Sequence, residues 1–384
     1  MKGGFSLSMN VNPRVLILTA SYGNGHLQAS KALQQQFLRQ GVDQVKIVNL
    51  MQEGHPFINL ITTSLINKST KSSRIGLDYY GWSYYLTRET KRTALFQRSM
   101  TYLGKKKLRE LIHHERPDVV VNTFPFGASP EVCSSMGITN FTVLTDYALH
   151  ASWLHPNVDK YYVATEELKQ QIIFKGFSKD RIEVSGIPLR QEFANERNSN
   201  AKSQKKKIIL IMASDSGVTS YLEEMLNGLA VLDNCQLVVV CGRNERLKGK
   251  LEDEFAAFPG ITILGFVDNV HEWMSQATCI VTKAGGLTLT EAIVLRLPIF
   301  IYRPYAGQEK ENALYLSSRG MASISTNMKE FISKITYLIN HPSLHEEIKE
   351  RMRTLQRSQA AVHIVNDMML SMNNSNNKPV SLSL

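Results

Sequence analysis

The sequence predicts an α/β protein made of two consecutive doubly wound units. Apolar runs of strand length recur along the chain, as in Val15-Leu16-Ile17-Leu18 and Leu237-Val238-Val239-Val240-Cys241. Such runs suit parallel strands buried on both faces. Loops rich in glycine or hydroxyl side chains follow them, and then helical stretches, the alternation of βαβ units. The pattern lapses over residues 194 to 207 and restarts at Ile208. With 384 residues the chain has length for two cores. The expected division is a first unit over 1–193, a linker over 194–207 and a second unit over 208–354. A last helix, about 355–372, is free to pack back on the first unit.

Hydrophobic residues at 43% and charged residues at 20% describe a globular protein. The four cysteines, Cys133, Cys235, Cys241 and Cys279, form no CxxC pair. They read as packing thiols of a reduced chain and match no zinc pattern. Residues 1 to 13 lack the apolar core of a signal peptide, and no apolar run approaches the ~20 residues of a membrane span. A net charge of +10 favours anionic partners: nucleic acid, an anionic membrane face or phosphorylated ligands.

The first strand, Val15 to Thr19, leads into Ala20-Ser21-Tyr22-Gly23-Asn24-Gly25-His26 and a helix from about Leu27 to Gln40. The glycine pattern is not the dinucleotide fingerprint. His26 falls in the first helical turn, at the carboxyl end of a parallel strand, where open α/β sheets bind ligands. Val45 to Leu50 is the second strand. Residues 52 to 107 then mix Tyr79, Tyr80, Trp82, Tyr84 and Tyr85 with Lys68, Lys71, Arg88, Arg92, Lys105, Lys106 and Lys107. Aromatics among cations suit an interfacial membrane surface, a nucleic-acid stacking platform, or a helical insertion with solvated charges.

Lys105 to Glu115 reads as a helix ending before Pro117, and Val119 to Thr123 as a strand. Phe141 to Leu144 is the next strand, followed by Thr145-Asp146-Tyr147 with His150 and Trp153. Asp146 and His150 read either as a base with its orienting partner or as a capping acid and a packing histidine. Tyr161 to Ala164 is a strand, Thr165 caps a helix, and Ile182 to Pro188 closes the unit.

The second unit opens with the strand Ile208 to Met212 and the loop Ala213-Ser214-Asp215-Ser216-Gly217. Leu237 to Cys241 and Ile261 to Leu264 are strands, the latter ending in Gly265-Phe266-Val267. Cys279 to Val281 is a short buried strand before Thr282-Lys283-Ala284-Gly285-Gly286-Leu287-Thr288-Leu289-Thr290-Glu291. Paired glycines there let a ligand approach the backbone of a helix N-terminus. Unpaired N–H groups and the helix dipole at that end suit a phosphate. Glu291, one turn on, is placed to accept from sugar hydroxyls. Ile299 to Tyr302 is followed by Gly307-Gln308-Glu309-Lys310-Glu311-Asn312, and the chain is expected to be helical from about Ser343 to Leu370. The second unit lacks the acidic pair that would hold a divalent metal against a diphosphate. Its loops suit a nucleotide-sugar held without metal, and His26 and Asp146 of the first unit are the candidate general bases.

The motifs Tyr22-Gly23-Asn24-Gly25-His26, Thr145-Asp146-Tyr147 with His150 and Trp153, Ser185-Gly186-Ile187-Pro188, Lys283 to Ala292 and Gly307 to Asn312 come in the order found in a known family. From about residue 13 to 370 the chain resembles the bacterial processive diacylglycerol β-glucosyltransferases. These belong to the glycosyltransferase family 28 set, with the plant monogalactosyldiacylglycerol synthases. The resemblance implies a GT-B fold, two Rossmann-like domains facing a cleft. It implies inverting transfer of glucose from UDP-glucose to diacylglycerol, giving mono- and possible diglucosyl lipid, with no metal or other cofactor and no nucleic-acid partner. It implies that the first domain docks as a peripheral protein on the anionic cytoplasmic face of the membrane. By position, Gly217, Gly285, Gly286, Leu287 and Thr288 would hold the diphosphate and Glu291 the ribose. Gln308 and Glu309 would hold the donor sugar, and Phe266 and Val267 the uracil through backbone groups. Gly25, Tyr80, Trp82, Tyr84, Tyr85, His150 and Trp153 would meet acceptor or membrane. Either His26 or Asp146 would take the acceptor proton. Two positions depart from the pattern: Asp215 lies in a loop that is usually Ala-Gly-x-x-Gly, and Ala284 stands where close bacterial relatives usually have proline. An aspartate beside the diphosphate repels it unless turned away. The alternatives are a transferase of the same set with another lipid acceptor or donor sugar, and a UDP-sugar sensor without turnover.

Overall fold

The computed structural model describes residues 12–20, 25–49, 95–195, 206–213 and 221–376. They build two six-stranded sheets whose recorded pairings are all parallel. The first contains β1 (Val15–Thr19), β2 (Val45–Asn49), β3 (Val119–Asn122), β4 (Thr139–Val143), β5 (Lys160–Val163) and β6 (Ile182–Val184), in the spatial order β2-β1-β3-β4-β5-β6. The second contains β7 (Lys207–Met212), β8 (Cys235–Val240), β9 (Ile261–Leu264), β10 (Cys279–Val281), β11 (Ile299–Tyr302) and β12 (Ala322–Ser325), in the order β12-β11-β10-β7-β8-β9. In both, the order reverses beside the first strand of the unit. Val15 stands opposite Val45 on one side and Val119 on the other, and Ile209 opposite Leu237 and Cys279. Crevices for ligands open at the carboxyl ends of strands at such reversals.

The helices are α1 (Gly25–Arg39), α2 (Leu95–Glu115), α3 (Ala128–Ser135), α4 (Glu166–Phe174), α5 (Gln191–Asn195), α6 (Leu222–Leu229), α7 (Glu245–Glu254), α8 (Val270–Gln276), α9 (Gly286–Val294), α10 (Gln308–Ser318), α11 (Met328–Asn340), α12 (Pro342–Arg353) and α13 (Ala360–Asn376). The continuous apolar strands are buried on both faces, as their lack of alternation requires. Each aliphatic side chain so buried contributes roughly 1.5–3 kcal/mol of transfer free energy. One core runs across both units, from Leu144, Tyr147 and Trp153 through Ala284, Leu287 and Leu289 to Ile299. A shared apolar core of this kind makes the closed arrangement a packed one.

Thr165 caps α4 by accepting from the Leu168 amide, as its side chain predicts. The helical end of the chain is built of α12 and α13. Residues 354–359 form a turn where the chain leaves the second sheet and crosses to the first. There Gln356 donates to the Val294 carbonyl, and Gly186 lies so close that an added Cβ would sit 2.6 Å from Arg357. Beyond the turn, Ile364, Val365 and Met368 of α13 pack with Val15, Phe37 and Tyr162 of the first unit. Asp367 binds Lys160 at 2.7 Å and accepts from the Tyr162 hydroxyl at 2.7 Å. β12 carries no strong signal in the sequence, being short and only partly buried, whereas α11 carries one: Asn327 caps it by accepting from the Glu330 amide, and Met328, Phe331, Ile335, Leu338 and Ile339 recur at helical spacing on its buried face.

The segment 50–94 lies outside the described residues, and with it Tyr80, Trp82, Tyr84 and Tyr85. So do Tyr22 to Asn24, Asp215 and Gly217.

Candidate active site between the two sheets

The carboxyl ends of β1, β3 and β4 assemble around one imidazole. β1 gives way to α1, which puts His26 at its second residue. The ring's Nδ1 lies 2.9 Å from the Thr123 carbonyl at the end of β3 and 2.9 Å from the Thr145 hydroxyl at the end of β4. A carbonyl can only accept, so Nδ1 carries the proton and the lone pair sits on Nε2. Phe124 meets the ring edge-on at 5.1 Å, and Trp153 tilts against it at 6.3 Å. Ser30, one turn along α1, hydrogen-bonds Thr123 at 2.8 Å and the His26 carbonyl at 2.9 Å, which ties the helix to the β3 loop. Burial pushes the His26 pKa below its ordinary value, while the Asp146 charge and the Thr123 hydrogen bond pull the other way. The imidazole is therefore neutral at pH 7.

Asp146 is 2% exposed. Its Oδ1 accepts from the Asn312 amide at 3.1 Å, and its Oδ2 is buried with no hydrogen-bond partner among the described residues. Burial raises its pKa, against the opposing influence of His26 and of the Gln308 and Asn312 amides. The His150 Nδ1 is engaged by Ser152, 2.7 Å from its hydroxyl and 3.1 Å from its amide, and caps a 3₁₀ turn at Ala151–Trp153. Trp153 is buried beside His26.

From the second unit, β10 ends in the glycine loop. Gly285 is the N-cap of α9 and Gly286 its first residue. A Cβ on Gly286 would lie 2.0 Å from the Thr145 carbonyl oxygen. Glycine is therefore required for the two units to close as they do. Gly25 similarly faces Leu287, its would-be Cβ 3.6 Å from the leucine's. Thr288 is half-buried in the first turn of α9, and Lys283 pairs with Glu309 at 3.2 Å. Gly307, with φ +95° and ψ −144°, turns the chain from the β11 loop into α10, a conformation only glycine adopts freely. That turn sets Gln308 and Glu309 at the helix start. The second carboxylate oxygen of Glu309 is buried with no hydrogen-bond partner among the described residues.

Glu291 is buried in α9, and desolvation pushes its pKa up to about 7 despite the Arg190 charge. Phe266 follows β9 and is 55% exposed, with the Arg243 guanidinium 5.1 Å from its ring centre. Val267 is half-buried beside it.

The fold thus brings His26, Asp146, Gly285, Gly286, Leu287, Gln308 and Glu309 to one junction, with Glu291 one turn deeper. Three residues at this junction escape a reading of the sequence. Thr145 shares the His26 proton, Arg190 counters Glu291, and Asn312 bridges the two units. Thr145 and Asn312 stand within motifs visible in the sequence, while Arg190 follows one. Their partners are distant in the chain. Among the described residues no group of three or more His, Cys, Asp or Glu side chains could hold a metal ion. No described helix is long and apolar enough to cross a membrane.

Comparison with known proteins places this geometry in a family. Residues 26–189 match the model of monogalactosyldiacylglycerol (MGDG) synthase, and residues 218–366 match the glycosyltransferase family 28 C-terminal domain. The processive diacylglycerol beta-glucosyltransferase of Bacillus licheniformis is 37% identical over 374 residues, covering 94% of this chain and 96% of its own. The Bacillus subtilis protein of the same name is 36% identical over 374 residues, with the same coverage. Among solved structures, Acinetobacter baumannii MurG superposes with a TM-score of 0.63 at 17% identity, covering 94% of this chain and all of its own. The calicheamicin glycosyltransferase CalG4 gives 0.61 at 13% identity, covering 96% and 100%. These two likenesses establish the GT-B fold. Sequence kinship along nearly the whole chain establishes more: the protein belongs to the processive diacylglycerol beta-glucosyltransferase group of glycosyltransferase family 28 and is a glycosyltransferase.

Proposed function

We propose that the chain transfers glucose from UDP-glucose to the free hydroxyl of diacylglycerol at the cytoplasmic membrane face, with inversion, and that it can add a second glucose. The observation that carries this reading is the junction itself. A neutral imidazole, its proton fixed on Nδ1, stands beside the point where Thr145 packs on the glycine-capped start of α9. Glucose, diacylglycerol and processivity come from the relatives' names. A net charge of +10 supports attraction to an anionic leaflet.

In this reading His26 is the general base. Its Nε2 takes the proton of the acceptor hydroxyl as that oxygen bonds to the anomeric carbon, and the bond from that carbon to the UDP oxygen breaks. Attack on the face opposite the leaving group inverts the centre. Charge growing on the diphosphate meets the free N–H groups of Gly286, Leu287 and Thr288 and the positive end of α9. Gln308 and Glu309 hold the hexose hydroxyls and Glu291 the ribose hydroxyls. The backbone at Phe266 and Val267 holds the uracil, and Gly217 would bind the diphosphate. Gly25, His150 and Trp153 meet the acceptor, and Tyr80, Trp82, Tyr84 and Tyr85 would meet acceptor or membrane. In this reading Asp146 acts through His26 and not as the base, because its carboxylate is buried and its Oδ1 is engaged by the Asn312 amide.

The test is product formation on diacylglycerol vesicles with UDP-glucose, UDP-galactose and UDP-N-acetylglucosamine in parallel, with chelator present. Mono- and diglucosyl lipid from UDP-glucose alone is the expected result. Bound UDP without product from any donor would overturn the reading and favour another acceptor or a sensor.

A further inference from the structure

Asn312 is 1% exposed, and its amide is spent entirely on two loops. Its Nδ2 donates to Asp146 Oδ1 at 3.1 Å and to the Ala284 carbonyl at 3.2 Å. Its Oδ1 accepts from the Tyr147 amide at 2.9 Å. Asp146 and Tyr147 follow β4 in the first unit. Ala284 immediately precedes the glycine pair, and Asn312 itself lies one turn into α10, behind Gln308 and Glu309. One side chain therefore joins the loop of Thr145 and Asp146 that packs on the base, the loop of the diphosphate and the helix of the donor sugar.

The surroundings reinforce the bridge. Tyr147 stacks on Tyr315 of α10 at 5.6 Å, and its hydroxyl meets Thr290 of α9 at 2.9 Å. Gly286 closes on Thr145 with no room for a methyl group. No other amino acid of this size offers two donors and an acceptor in one plane: aspartate lacks the donors, and leucine lacks all three. A buried bridge of this kind is costly to leave half-satisfied, so it favours one closed arrangement over its neighbours.

We propose that Asn312 is a positioning residue for the transfer step: it latches the two units in the closed state and fixes the Asp146 carboxylate toward His26 in register with the donor loop. This rests on the proposed roles of His26 and of the glycine loop. Groups facing Asp146 are His26 of α1, Gln308 and Asn312 of α10, and the backbone of α9 at Gly286. Of the first three, Asn312 alone spans to the glycine loop as well.

The experiment compares Asn312→Leu, Asn312→Asp, Asp146→Asn and the Asn312→Leu/Asp146→Asn pair, each first shown to bind UDP by calorimetry. Asn312→Leu is expected to lower kcat by about tenfold to a hundredfold, the range that small misplacements produce, with UDP affinity changed less than about threefold. Asn312→Asp keeps an acceptor for Tyr147, loses both donors and is expected to lose a similar factor; it serves if the leucine variant does not fold. The acid limb of the kcat/KM–pH profile should move to lower pH in Asn312→Leu, because Asp146 without its donor takes up a proton and ceases to hold charge beside His26. In the pair the two losses should overlap instead of multiplying. Hydrogen exchange at the Tyr147 amide reads the latch without turnover, and protection there should fall in Asn312→Leu.

Wild-type kcat in both Asn312 variants would overturn the proposal. So would a lowered kcat with an unmoved acid limb, or unchanged protection at Tyr147. If the wild type binds UDP and transfers no sugar, the functional reading fails, while exchange at Tyr147 still decides the latch.

Discussion

The two units share a topology and differ in what they place at its functional edge. At the carboxyl ends of β1, β3 and β4, side chains do the work: an imidazole set by a carbonyl and a hydroxyl, beside a buried carboxylate. At the ends of β10 and β11, backbone takes over, with a glycine-capped helix start and a glycine with φ +95°. The difference follows from the tasks proposed for them. Proton abstraction needs one group of suitable basicity in a fixed tautomer. Holding a diphosphate needs many weak donors and space for close approach, which backbone N–H groups supply. The same fold thus carries two chemistries according to whether its loops end in side chains or in glycines.

Changes on the base side should strike kcat, and changes on the donor side should strike donor binding. The largest effect expected is that of His26→Ala. Loss of the base should lower kcat by roughly 10²–10⁴, with UDP affinity retained by calorimetry. Gly286→Ala sits on the boundary. Its methyl group would lie 2.0 Å from the Thr145 carbonyl, so the units must part, and kcat/KM should fall about a hundredfold in steady-state assays.

Glu291→Gln should act on the donor side alone. Loss of an ionised acceptor for ribose hydroxyls should weaken UDP binding by about tenfold or more in titration calorimetry. The Glu291 pKa of about 7 adds a sign. As pH falls through that value the carboxylate protonates and loses acceptor capacity, so wild-type UDP affinity should decline. In Glu291→Gln this decline should be absent. Phe266→Ala should be the mildest, raising the donor KM two- to threefold, roughly the worth of an exposed cation–π platform, with no change in thermal stability.

Much of the fold was legible in the sequence because it rests on local signals. Unbroken apolar runs mark strands buried on both faces, and β1, β7 and β10 are such runs. The glycine pair before α9 and Gly307 before α10 mark backbone conformations and approaches that other residues resist. What the sequence hid depends on pairings far apart in the chain. Asn312 reads as one more polar residue of a helix until Asp146 and Tyr147 arrive from 166 and 165 positions away. His150 stands near Asp146 in sequence, yet its ring turns to Ser152. The close approach of the base loop to the donor loop is likewise invisible in sequence, since Thr145 and Gly286 meet only when two cores close on each other.

The most direct test of this account is the pH dependence of kcat/KM for glucosyl transfer in the wild type and in Asp146→Asn. With His26 as the base and its pKa held below the ordinary histidine value, the wild-type acid limb, read on kcat/KM for the acceptor at saturating UDP-glucose so that the Glu291 effect on donor binding drops out, should lie below the ordinary histidine range. Removing the Asp146 charge should shift that acid limb to still lower pH while leaving it in place. If the limb instead vanishes in Asp146→Asn, Asp146 is the group that must be deprotonated, and the assignment of the base to His26 is wrong.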